Sequence, residues 1–238
     1  MAADDEQTQL SVRGEARGVV APDQASLSTA VIAVEHSKAA AASAAAATLN
    51  EVVAELTELG GEVLAVDSAR RPLTWSTHSV QTYEEYEDDR GRGTPGRSGR
   101  YRASVNLLIS VRDFALLDAV NRVLVRHDEL DVHFVEWSVD DDNPTWAAVR
   151  ADAIRAALLK GQDYAAALGG SVVRVEHIAD AGLLGGQPSG FMAHDASGAM
   201  ALSAGGGAES VSLDPVPQVL KATIEARLAA IVGPLPAR

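Results

Sequence analysis

Few residues of this chain could do chemistry, and three groups of them stand close enough in sequence to weigh. The first is Asp140, Asp141 and Asp142, consecutive carboxylates in "SVDDDNPTWAAV". Clustered carboxylate oxygens are what Mg²⁺ and Ca²⁺ require. Successive side chains of an extended segment point to opposite sides, however, and no EF-hand spacing follows. Asn143 and Pro144 come next, a side-chain cap and a residue whose missing N–H is harmless at the first helical position. Acidic groups before a helix N-terminus also meet the positive end of its dipole. The triplet predicts a helix start and no metal.

The second group is the six histidines, His36, His78, His127, His133, His177 and His194. No two stand at i, i+4, the spacing that puts two imidazoles on one helical face for zinc. His78, His133 and His177 fall in predicted strands. Convergence of the three would make a metal or small-molecule site; otherwise they are half-exposed residues of a sheet face. His194 with Met192 and Met200 has soft-metal ligand types, but in a Gly/Ala/Ser-rich run with nothing to hold them. The third group is "RGRGTPGRSGRYR", which has the look of an Arg/Gly nucleic-acid segment. The preceding "EEYEDD" nearly cancels its charge and favours contact with a neighbouring subunit. No phosphate-binding G-x-x-x-x-G-K-[ST] and no G-x-S-x-G nucleophile elbow occurs. The sequence therefore assigns no catalytic, cofactor-binding or metal-binding residue, and it is read as non-enzymatic and free of cofactors, the alternatives being a small-molecule or metal-binding module using the strand histidines and an enzyme of unrecognised type.

The bulk numbers agree. Across 238 residues the net charge is −13, which disfavours nucleic acid and anionic lipid as partners. Zero cysteines exclude disulfides and thiolate chemistry. The acidic, polar N-terminal stretch has no signal-peptide pattern, and the alanine run Ala39 to Leu49 is too short to span a bilayer. A cytoplasmic protein without membrane insertion is expected.

The elements that must position these residues follow from periodicity. Residues 1–7 are expected to be a disordered tail ahead of one domain over 8–232. Thr8 to Val20 and Gln24 to Val34 read as strands joined by a turn at "APD". Ser37 to Leu59 reads as a helix ended by Gly60 and Gly61. Strands are predicted over Glu62 to Asp67, Leu73 to Tyr83 and Tyr101 to Val111, with a mobile loop over 84–100. Asp113 caps a short helix, and Asp131 to Val139 is a strand. That order is a split βαβ, ferredoxin-like unit, giving an α+β fold with an antiparallel sheet. A long extra helix follows, with Ala147, Ala151, Ile154, Leu158, Gly161, Ala165 and Leu168 as its apolar seam. Ser171 to Ile178 returns as a strand, and 181–207 reads as a mobile connector. The last element, Val219 to Leu228, alternates without a break at spacing two, so a strand is predicted over a helix.

"VRGEARGVVAPDQASLSTAVIAVE" resembles the opening hairpin of the SIMPL-domain family, a bacterial family of largely unassigned function. "YRASVNLLISVRDFALLDAV" is similar to its strand running into an "RD" helix start. "DNPTWAAVRADAIRAALLKGQDYAAALGGSVVRVEHI" is similar to its long Ala-rich helix and return strand. The resemblance implies an α+β domain, no catalytic residues to carry over, and a homo-oligomer of ring or barrel type. It also implies frequent export, whereas the acidic, polar N-terminal stretch leads us to expect a cytoplasmic protein unless a leader preceded it.

Overall fold

The structure, a computed structural model, describes residues 7–68, 70–78, 80–87, 96–184, 198–201 and 213–233. Its strands are β1 (Thr8–Val20), β2 (Gln24–Glu35), β3 (Glu62–Val63), β4 (Leu73–Thr77), β5 (Gln81–Glu87), β6 (Gly96–Val111), β7 (Leu130–Ser138), β8 (Ser171–Asp180), β9 (Gly198–Ala201) and β10 (Gln218–Ile231). Its helices are α1 (Lys38–Glu58), α2 (Leu117–Arg126) and α3 (Thr145–Ala167). They form an α+β fold in two compact units, one of Ala21–Val139 with Ser197–Val216, the other of Met1–Val20, Asp140–Ala196 and Pro217–Arg238. Among the described residues no helix is long and apolar enough to cross a membrane.

The first unit is the predicted split βαβ arrangement. Strands run in the order β3-β4-β6-β2-β7-β9, with β5 also on β6. α1 starts where the Ser37 hydroxyl accepts from the Ala40 amide, and lays Ala41, Ala45, Val52 and Leu56 on the sheet. α2 follows a 3₁₀ turn capped by the Asp113 carboxylate, which accepts from Ala115 N. Leu117, Val120 and Leu124 join Leu27, Leu107, Ile109 and Trp137 in the core, where Phe114 meets Trp137 edge-on at 5.5 Å. Glu55 ties the helices together, accepting from Arg126 Nη1 at 2.6 Å and lying 3.0 Å from His127 Nε2.

The second unit is a three-stranded antiparallel sheet, β1-β10-β8, with α3 packed on β1 and β10. The Asn143 side chain accepts from Thr145 N at 2.9 Å, and Pro144 has helical dihedrals, as the cap pattern predicts. The C-terminal segment is the expected strand. Leu220, Ala222, Ile224, Ala226 and Leu228 are buried, while Lys221 is exposed and Thr223, Glu225 and Arg227 are half-buried.

Six expectations are corrected. The "APD" turn joins strands of different sheets and makes no hairpin, because β1 takes its hydrogen bonds from β10. The strand expected over Glu62 to Asp67 is limited to Glu62–Val63. Leu73 to Tyr83 is split into β4 and β5. β5 extends to Glu87 and β6 starts at Gly96, so both flanks of the anticipated loop 84–100 belong to strands and 88–95 lies outside the described residues. The α3 seam is Val149, Ala153, Ala157, Gly161 and Ala165, with Ala147 and Ala151 exposed. That line of small residues lets the β1 backbone approach closely. A Cβ on Gly14 would run into the Ala153 carbonyl oxygen and the Ala157 amide nitrogen, and one on Gly161 into Leu228. Within the anticipated connector 181–207, β9 pairs with β7; 185–197 and 202–207 lie outside the described residues, as do 1–6 of the expected tail.

Candidate functional site

Alternation along β2 and β6 sends Leu27, Leu107 and Ile109 under the helices. Ser28, Asn106 and Leu108 fall on the opposite face. His78 follows the last residue of β4, and its backbone N–H still donates to the Asn106 carbonyl at 3.1 Å, which fixes it as the next rung of that ladder. On the other side of the sheet Ser28 pairs with Phe134 and Thr29 pairs with Val132. His133 is therefore an extra residue, a β-bulge, and the bulge frees it from strict alternation. It lines one cavity of about 280 Å³ with Ser28, His78, Asn106, Leu107 and Leu108. Its Nδ1 stands 3.9 Å from Asp131 Oδ2.

Two of the three strand histidines are thus brought together. His177 lies on β8, in the other unit, opposite Arg227 of β10. His127 is engaged with Glu55 between α1 and α2. His194 and Met192 lie outside the described residues. Among the described residues no three His, Asp or Glu side chains are grouped to hold a metal ion. Asp140 serves the helix start through its backbone, its carbonyl accepting from Asn143 N at 3.0 Å and from Trp146 Nε1 at 3.1 Å.

A second polar surface was not anticipated. Ser11, Arg13, Glu225, Arg227 and Leu184 line a cavity of about 460 Å³ in the three-stranded sheet unit. Arg13 Nη2 donates to Glu225 Oε1 at 2.7 Å, and Arg227 Nη2 donates to the Leu184 carbonyl at 2.7 Å. The Arg13 hydrogen bond, with backbone N–H groups of Gly182 and Leu184, holds the Glu225 carboxyl below the usual glutamate range. Gln9 and Arg174 do the same to Glu176 on β8. Arg13 and Glu225 meet only through the β1–β10 register, across 212 positions of sequence. Their sole trace in the sequence is membership of the polar halves of two alternating strands.

No curated protein matches the chain. The family described as SIMPL, protein of unknown function (DUF541), matches residues 10–228, a span that runs from β1 to β10 and takes in both units. The "PD" turn, the strand into Asp113 and the long Ala-rich helix all fall inside it, and on that coverage the chain belongs to the SIMPL family.

Proposed function

We propose that this protein works as a non-enzymatic homo-oligomer, a structural or binding assembly made from copies of itself. The observation that carries this reading is the outer edge of β8. Among the described residues no strand pairs with that edge, and Val173, Val175 and Ile178 are 44%, 43% and 47% exposed. An open edge flanked by apolar side chains is a template for another chain. Val172, Val175 and Ile178 are spaced symmetrically about Val175. A second β8 laid antiparallel sets Val175 on Val175, Val172 against Ile178 and Arg174 against Glu176, so apolar meets apolar and opposite charges meet. The outer edge of β1 is likewise unpaired among the described residues. Two free edges per subunit allow an assembly to grow past a dimer.

Glu176 and Glu225 are held as ion-paired carboxylates and serve the β1-β10-β8 sheet as side-chain partners of Gln9, Arg174 and Arg13. Light scattering coupled to size exclusion tests the assembly, with an expected mass several times 24.8 kDa. Val175→Lys with Ile178→Lys should reduce that mass while the far-ultraviolet circular dichroism is retained. A wild-type monomer at micromolar concentration overturns the reading.

A further inference from the structure

We infer that the cavity between His78 and His133 binds a small uncharged ring with an apolar face and a hydrogen-bonding rim, the chemistry shared by monosaccharides and nucleobases. Three observations converge on it. The bulge in β7 places His133 beside Ser28, and bulges are over-represented where a side chain is re-aimed next to a site. The polar liners are two imidazoles, a carboxamide and a hydroxyl, from His78, His133, Asn106 and Ser28. Each of these groups both donates and accepts when neutral, and among the described lining residues there is no Lys, Arg, Asp or Glu; the carboxylate of Asp131 lies 3.9 Å from His133 Nδ1. Leu108 contributes an apolar wall, and Phe134, the cross-strand neighbour of Ser28, is a 38% exposed aromatic on the adjoining strand. An apolar ring face stacks on such a surface while its rim reaches the four polar groups.

The sheet geometry argues against one ion shared by the two histidines. They lie on strands separated by three spacings of about 4.8 Å, so their Cα atoms are roughly 14 Å apart. Two imidazoles can meet over that span only by reaching straight at each other, whereas a zinc ion with bonds of about 2.0 Å to nitrogen holds its ligands at tetrahedral angles. A ligand several atoms wide fills the gap. At about 280 Å³ the cavity is at the small end of ligand pockets, which suits one ring and not two.

The test is ¹H–¹³C NMR of the histidine rings in the full-length protein, titrated separately with glucose, galactose, N-acetylglucosamine, adenosine, uridine and ZnCl₂. Saturable shifts of His78 and His133, with His177 unmoved, are expected for at least one sugar or nucleoside. The responding set tells the two sources apart. His133→Gln and Asn106→Ala should each weaken binding about tenfold, the effect of one lost polar contact, with the wild-type melting temperature kept. His177→Gln, in the other unit, should bind as wild type. No saturable shift with any sugar or nucleoside at about 10 mM, beyond the weakest useful affinity, overturns the proposal. So does a response to zinc alone, or binding that survives both cavity variants.

Discussion

At Gly14 the carbonyl of Ala153 and the amide nitrogen of Ala157 occupy the place of a side chain, so the β1–α3 contact is backbone on backbone. Neither obstacle can rotate aside as a flexible side chain would. Gly14→Ala should cost about 3 kcal/mol, the upper part of the range for overpacking, measured by urea denaturation. Gly60→Ala is the control. Gly60 has φ +85° with open space around its Cβ position, and only the left-handed backbone penalty of about 1 kcal/mol applies. Glu225 gives a pH signature. Its folded pKa is depressed by the Arg13 hydrogen bond, so its contribution is complete above the unfolded glutamate value of about 4.3. It is lost as pH falls through the lower folded value. In Glu225→Gln the melting temperature should fall less steeply across that acid window than in wild type. Equal slopes would show that the pair does not stabilise the fold.

β10 is decided by its two faces. Ile224 is buried opposite Gly14, while Thr223 is half-buried opposite Glu15. Ile224→Asp should cost about 4 kcal/mol, as for an unpaired charge in a core. Thr223→Lys should change stability by less than about 0.5 kcal/mol, because lysine faces a carboxylate there, whereas aspartate would oppose a like charge. Similar losses for both variants would contradict the assignment. This strand was legible because an unbroken period of two is a local property. The α3 cap was legible for the same reason: Asn143 and Pro144 act within two residues of themselves, whereas the Ser37 cap of α1 was not anticipated. The α3 seam was misplaced because alanines surround the helix, and the buried line depends on which residues meet the strands: Ala153 and Ala157 at Gly14, Val149 at Gly18 and Gly161 at Leu228. The bulge at His133 left no sign, since an extra residue is extra only with respect to a partner strand. His78 and His133 were recognisable as candidates, yet their shared cavity is a fact of register.

For the chain as a whole, the consequence lies in the pairing of Thr8 with Ala230 and of Val20 with Gln218. During synthesis β1 leaves the ribosome about 200 residues before its partner, the separation of the two strands in sequence. At elongation rates of about 5–20 residues per second, β1 waits on the order of ten seconds or longer. Its Leu10 and Val12 lack part of their cover until β10 brings Ala226, Leu228 and Ala230. Ala21–Val139 can meanwhile close its own sheet, because β2, β6 and β7 all lie within that stretch. Birth order therefore separates the two units in time. A nascent chain stalled with β7 but not β10 outside the tunnel should resist protease from β2 to β7 and be cut within β1. Release of the full chain should abolish that cut. The amino-terminal strand is, in this sense, a client in waiting, and a chaperone that holds extended segments has one defined place to act.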